Sequence, residues 1–92
     1  MILSFSCPDT EALFNRMRVA RFANIERVAR RKLEQLDWAG KIEDLRIPPN
    51  NRLELLKGRR AGQYRIRIND QWRLCFRFHH GNATDVEIVD YH

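Results

Sequence analysis

The last third of the chain contains the pattern that most restricts its fold. Over residues 64–68 and again over 72–78, large apolar side chains alternate mostly with charged ones. Successive side chains of a β-strand point to opposite faces, so this alternation predicts two strands that each have one apolar face. The polar residues Asn69 to Gln71 predict a hairpin turn between them. A second turn at 80–82 leads into a final alternating segment, so residues 63–92 are predicted to form a three-stranded antiparallel meander.

The polar face of this meander carries arginines on neighbouring strands. They are Arg65, Arg67, Arg73 and Arg77. Their spacing is short enough to produce one positive field, which suits a phosphate-bearing ligand because guanidinium groups bind phosphate bidentately. Acidic neighbours that balance the charge would make the same face purely structural, and both interpretations stay open.

Two helices are predicted before the meander. Residues 8–10 give a turn and a helix start, and Leu13, Phe14 and Met17 follow at helical spacing. The basic segment 16–21 either continues this helix or forms a loop.

The second helix has a clearer apolar stripe. Its members are Ile25, Val28, Ala29, Leu33 and Leu36. Asn24 is predicted to cap this helix, and the stripe to cover the apolar face of the meander. The opposite, arginine-rich side of the helix is either simply solvated or a surface for RNA or a protein partner.

Shorter elements complete the predicted fold. Residues 2–5 alternate weakly and predict a further strand, and residues 52–55 predict a short strand with Leu53 and Leu55 inward and Glu54 outward. The fold class is therefore α+β, with the meander and one or two further strands packed against two N-terminal helices. At 92 residues the chain is expected to form a single domain over 1–92.

Composition excludes several classes of protein. The net charge is +5, and nearly all of the basic residues are arginines, which favours a nucleic-acid partner, although a compositional bias of the source would give the same excess. Cys7 and Cys75 lie far apart without a metal-binding spacing, so we expect reduced thiols and no metal or other cofactor. The sequence shows neither an export signal nor a membrane-spanning run, which predicts a cytoplasmic protein that does not contact the membrane.

Two segments carry groups suited to chemistry on a phosphate. The final strand ends in Asp90, Tyr91 and His92, where Asp90 and the histidine share one side of a regular strand and can act as an acid-base pair. The glycine-flanked loop at 57–62 carries Lys57, Arg59 and Arg60. An ordinary surface strand end and a plain connection between strands with solvated charges are the alternatives.

These segments together resemble a known family. The residues 51–58, Gly62 and Tyr64, 68–74 and the terminal 90–92 are similar to the HigB toxins, the killer-protein branch of the RelE-type superfamily, over essentially the whole chain. The resemblance implies a microbial-ribonuclease-like fold and a ribosome-dependent endoribonuclease that cuts mRNA. It also implies a HigA-type helix-turn-helix antitoxin that neutralises the toxin, with operator DNA bound only through that antitoxin.

The resemblance also assigns roles to individual residues. They fall on Lys57, Arg73, Asp90, Tyr91 and His92, whereas Glu54 stands where some relatives have a histidine, which leaves the division of acid and base roles open. Cleavage through the 2′-hydroxyl needs a base, an acid and cations on the charged phosphorane.

We assign these tasks from the residues as follows. Arg73 and Lys57 are the candidate cations, His92 is the acid or base, and Glu54 is a second proton carrier. Asp90 orients the histidine, and Tyr91 stacks on a base or hydrogen-bonds the phosphate. The candidate RNA-holding residues are Arg65, Arg67, Arg77, Arg59 and Arg60.

Two other functions remain open from the sequence. A non-catalytic module that binds RNA or the ribosome would use the same arginines. An interaction protein would instead bind another chain through the basic side of its second helix.

Overall fold

The computed structural model describes residues 1–91, and the predictions for His92 lie outside these residues. Within this part of the chain there are two α-helices and four β-strands, joined by short 3₁₀ turns. The helices are α1 (Pro8–Phe14) and α2 (Glu26–Trp38). The strands are β1 (Glu54–Leu55), β2 (Tyr64–Arg67), β3 (Trp72–His79) and β4 (Asn82–Asp90). The predicted α+β class is confirmed.

The sheet is an antiparallel meander in sequence order, β1-β2-β3-β4. Ile66 lies opposite Leu74 in the β2–β3 pair, and Leu74 lies opposite Ile88 in the β3–β4 pair. The three-stranded meander predicted from residue 63 onward is therefore confirmed as far as Asp90, and β1 is its one further strand among residues 1–91.

The core forms where α2 and its preceding turn cover the apolar face of the sheet. Leu33 and Leu36 on α2 and Leu74 and Phe76 on β3 are fully buried in one cluster. The ring of Phe22 meets that of Trp72 edge-on, with 5.3 Å between the ring centres. Burial of each such side chain contributes about 1.5–3 kcal/mol. The predicted packing of the helical stripe on the meander is confirmed.

The predicted cap of α2 is wrong. Residues Ala20–Ile25 already form a 3₁₀ helix, so Asn24 lies inside a turn and the cap position falls to Ile25, which makes no side-chain cap. The first turn of α2 gains instead an ion pair between Glu26 and Arg30, with 2.8 Å between oxygen and nitrogen. The basic segment 16–21 does not continue α1, which ends at Phe14: residues 16–19 form a turn and loop, and residues 20 and 21 begin the 3₁₀ helix.

Two strand predictions also need correction. Leu55 is 56% exposed, because β1 has only two residues at the edge of the sheet and nothing covers its outer face among residues 1–91. Residues 2–5 do not form a continuous strand. Ile2 and Phe5 make isolated parallel bridges to Ala83 and Val86, which shield the free edge of β4. Residues 1–91 contain no helix that is both long and apolar enough to cross a membrane.

Candidate active site

The arginine face is the side of β2 and β3 that points away from α2, defined by Arg65, Arg67, Arg73 and Arg77. Alternation along each strand places these side chains opposite the buried ones. In the register of the sheet, Arg67 lies directly opposite Arg73, and Arg65 lies opposite Cys75. The structure thus brings the predicted arginines onto one face.

Tyr91 lies on this face between two of the arginines. The guanidinium carbon of Arg65 is 4.8 Å from the centre of the Tyr91 ring, and that of Arg73 is 5.7 Å away. Both distances are within the range of a cation–π interaction. The Tyr91 backbone N–H donates to the carbonyl of Gln71 at 2.6 Å, so the turn before β3 holds the end of the last strand. The ring is 38% exposed and remains accessible to a ligand.

Glu54 and Lys57 extend the site toward the edge of the sheet. Glu54 lies opposite Arg65 in the β1–β2 register, and Arg65 Nη2 donates to both of its carboxylate oxygens at 3.0 Å. Polar contact with Tyr91 and the charge of Glu54 raise the pKa of Arg65 above its ordinary value. A shallow depression of about 480 Å³ is lined by Glu54, Leu55, Leu56, Lys57 and Arg65. The candidate active site is therefore the group Glu54, Lys57, Arg65, Arg73 and Tyr91.

The turn before β3 explains how Arg73 is positioned. The side-chain oxygen of Asn69 accepts hydrogen bonds from the backbone N–H groups of Gln71 at 2.9 Å and Trp72 at 2.8 Å, which closes the turn. Arg73 Nη1 donates to the carbonyl of Asn69 and, at 3.2 Å, to that of Trp72. Among residues 1–91, backbone carbonyls hold its guanidinium, and no carboxylate pairs with it.

Most of the other predicted RNA-holding arginines have acidic partners. Arg67 pairs with Asp70 at 2.6 Å, Arg77 with Asp85 at 3.4 Å, and Arg60 with Glu87 at 2.9 Å. These pairs partly neutralise the positive field that the sequence predicts. Lys57 and Arg59 are exposed, and neither has an ion pair among residues 1–91.

Asp90 is separated from the arginine face. It lies opposite Trp72, whose side chain packs in the core, so alternation directs Asp90 to the other side of the sheet from Tyr91. Gln71 Nε2 donates to its carboxylate at 3.2 Å. The predicted pairing of Asp90 with His92 lies outside the described residues.

Sequence reasoning missed two residues that position the site. Gln71 contacts both Tyr91 and Asp90. Its position in the turn before β3 is the feature of the sequence that could have indicated this role. Cys75 is fully buried on the arginine face, with its sulfur 4.0 Å from the Tyr91 hydroxyl oxygen. Burial raises the pKa of this thiol, so it remains uncharged beneath the tyrosine.

The fold and this site define a class of protein: a small α+β protein with cations and an accessible tyrosine on one sheet face, as suits a phosphate-bearing ligand. Comparison with known proteins makes the class specific. The family model described as "RelE-like toxin of type II toxin-antitoxin system HigB" matches residues 15–92. The chain belongs to this HigB family of RelE-like toxins, and membership in a type II toxin family implies an antitoxin partner.

Two individual relatives match the chain, and the first of them carries the family name. The chain is 49% identical over 64 residues to Toxin HigB-1 of Vibrio cholerae serotype O1, an alignment that covers 70% of this chain and 67% of that protein. It is 36% identical, also over 64 residues, to an uncharacterized protein of Haemophilus influenzae, covering 70% of this chain and 63% of the relative.

Proposed function

We propose that this toxin is a ribosome-dependent mRNA endoribonuclease of the cytoplasm that is neutralised by a HigA-type antitoxin. The observation that carries the proposal is the position of Tyr91 between Arg65 and Arg73, beside the depression that holds Glu54 and Lys57. A scissile phosphate needs cations around it, and an adjacent RNA base needs an aromatic surface. Both are present within one exposed patch.

The proposed reaction is attack of the 2′-hydroxyl on the neighbouring phosphorus. A base removes the hydroxyl proton, the new O–P bond forms a cyclic phosphate, and the bond to the 5′-oxygen breaks as an acid protonates that oxygen. Arg73 and Lys57 stabilise the charge of the phosphorane, and Tyr91 stacks on a base or donates its hydroxyl to a phosphate oxygen. His92 is the proposed acid or base.

Glu54 has a constrained part in this scheme. Both of its carboxylate oxygens accept from Arg65 Nη2, so the ion pair competes with any contact between Glu54 and the RNA. A phosphate that engages Arg65 would open the ion pair, which links RNA binding to the release of Glu54. The remaining arginines, Arg67, Arg77, Arg59 and Arg60, hold the RNA backbone farther from the reacting atoms.

One observation favours a second function, a non-catalytic module that binds RNA or the ribosome. Asp90 points away from the arginine face, and Glu54 is engaged by Arg65, so residues 1–91 place no disengaged carboxylate beside Arg73. Such a module would keep its biological effect when the groups that transfer protons are removed.

Primer-extension mapping of an mRNA after brief expression, without antitoxin, separates the two functions. We expect discrete, translation-dependent cuts with the wild-type protein and none with a folded His92→Ala variant. Co-expression of the antitoxin is expected to abolish the cuts. Growth inhibition without cuts by both proteins would contradict the nuclease and favour the binding module.

A further inference from the structure

Three cations from separate segments lie near the turn that joins β2 to β3: Lys32 hydrogen-bonds the residue before Arg52, the 3₁₀ turn Pro49–Asn51 contacts β2, and Arg67 pairs with Asp70 of the β2–β3 turn. Lys32 comes from α2, Arg52 follows the 3₁₀ turn at Pro49–Asn51, and Arg67 ends β2. The three cations are far apart in the sequence, so only the fold brings them near one another. We call these three residues the α2–hairpin cluster.

A fully buried asparagine fixes two members of the cluster. Asn51 Nδ2 donates to the Leu45 carbonyl at 3.0 Å and to Gln35 Oε1 at 3.1 Å, which ties the segment before β1 to α2. The Asn51 side-chain oxygen accepts from the Lys32 ammonium group. Arg52 follows directly, with a backbone φ of 50°, and its side chain is exposed. The Lys32 ammonium group and the backbone that carries Arg52 are therefore held in place before any ligand arrives.

Arg67, the third member of the cluster, lies in an environment that is unfavourable for a cation unless an anion is nearby. Arg67 lies directly opposite Arg73, and like charges at opposed positions of an antiparallel pair destabilise the sheet. The Arg67 side chain is only 19% exposed, whereas its partner Asp70 is 98% exposed. A carboxylate so fully in water holds Arg67 weakly and can be displaced.

Electrostatic coupling connects these groups. Burial, together with the positive charges of Arg31 and Arg67, lowers the pKa of Lys32. The hydrogen bond and charge of Arg67, followed by the charges of Arg73 and Arg52, lower the pKa of Asp70. Asp70 thus pairs directly with Arg67, and the charges of Arg73 and Arg52 also act on it.

We propose that the α2–hairpin cluster is a second phosphate-binding site, in which an RNA backbone phosphate replaces Asp70 on Arg67 while Lys32 and Arg52 bind the same or the next phosphate. The site rests on the proposed function, since Arg73 joins it to the candidate active site. Its ligand is the phosphodiester of a single strand, as in mRNA, or of a duplex, as in structured RNA.

The salt dependence of RNA binding tests the site. Affinities of wild type and of the Lys32→Gln/Arg52→Gln variant are measured by fluorescence anisotropy against a single-stranded and a duplex RNA at several salt concentrations. Loss of two phosphate contacts reduces the slope of log K against log salt by about 1.4 for the single strand or about 1.8 for the duplex. The RNA that shows the full change is the ligand.

Matched variants separate the site from general effects. Arg18→Gln/Arg27→Gln removes the same charge from two exposed arginines that have no ion pair among residues 1–91, and we expect a smaller change in slope. Arg52→Gln alone leaves the Lys32 contact with buried Asn51 intact and keeps the test independent of folding. Asp70→Asn is expected to tighten binding, opposite in sign to the cation variants.

Three results would overturn the proposal. They are equal slopes for the cluster and control variants, weaker RNA binding by Asp70→Asn, and cluster-dependent binding of polyglutamate at least as tight as that of RNA, which would indicate an acidic protein segment. Failure of the proposed nuclease is a distinct outcome: RNA would bind with the cluster-dependent slope but remain uncut. Normal cutting with unchanged slopes would remove only the second site.

Discussion

The two faces of β2 and β3 are stabilised by different interactions: apolar packing on the inner face and ion pairs on the outer face. On the inner face, side chains such as Leu74 and Phe76 are fully buried in the core that α2 covers. They stabilise the fold by burying apolar surface, which depends only on each residue being apolar. On the outer face, Arg65 is held by Glu54 of a neighbouring strand, and Arg67 by Asp70 of the turn that follows it. The comparison teaches that the inner face determines the fold, whereas the outer face holds the charges that we propose bind RNA.

The largest effect on the free energy of unfolding is expected from a substitution on the buried inner face. Leu74→Ala should lower the free energy of unfolding by about 2–5 kcal/mol, because a fully buried side chain leaves a cavity. The adjacent Arg73→Gln should cost far less, since it removes hydrogen bonds to two carbonyls. Urea unfolding of both variants measures the difference. Equal destabilisation would mean that both faces are structural.

Replacement of Arg73 should mainly lower the rate of RNA cleavage. We expect Arg73→Gln to lower the rate of RNA cleavage by about 10²-fold, as loss of a group that stabilises charge in the transition state does. Single-turnover cleavage measures this rate, with the exposed Arg18→Gln as a charge-matched control. A rate that falls equally in both variants would indicate a general electrostatic effect.

The cover that Tyr91 places over Cys75 gives a test of geometry without RNA. In a Cys7→Ser background, Tyr91→Ala should speed modification of the Cys75 thiol severalfold, because the ring shields a sulfur that is fully buried. Tyr91→Phe keeps the ring and should label as slowly as the parent. Labelling with a thiol reagent at constant pH measures both. Fast labelling of the phenylalanine variant would show that the ring does not provide the cover.

The smallest effect on stability is expected from the ion pair between Arg67 and the exposed Asp70. Arg67 lowers the pKa of Asp70 below its ordinary value of 3.8, so the pair contributes stability above about pH 4 and loses it as the pH falls through the lowered pKa. The difference in Tm between wild type and Asp70→Asn should therefore be small and constant from about pH 5 to 8, and vanish in stronger acid. A difference that grows on acidification would contradict this assignment.

The sequence could predict the inner face because period-two alternation is a local property of each strand. It could not predict that Glu54 would meet Arg65, or Glu87 would meet Arg60, because those pairs depend on strand register and loop shape. The prediction of Asn24 as the cap of α2 was wrong for a related reason. A 3₁₀ helix at Ala20–Ile25 precedes α2, and no residue type in this segment indicates it.

Part of the arrangement on the arginine face follows from the sequence. Arg73 and Tyr91 belong to segments where turn chemistry and alternation are clear, and the structure brings them together on one face. Their roles in RNA cleavage stay predictions. Alternation also sends Asp90 to the face opposite Tyr91, as the sequence predicts for a regular strand. The role of Asn51 was missed because its burial depends on α2, far away in the sequence.

Cleavage of mRNA on purified ribosomes tests the central claim most directly. Purified wild type, Arg73→Gln and the control Arg18→Gln are added to ribosomes programmed with a defined mRNA and to the same mRNA alone, and cut sites are mapped by primer extension. We predict discrete cuts on the ribosome with wild type and control, and about 10²-fold slower cutting with Arg73→Gln. Equal cutting by all three proteins, or none by folded wild type, would contradict the assignment of the arginine face as the site of catalysis.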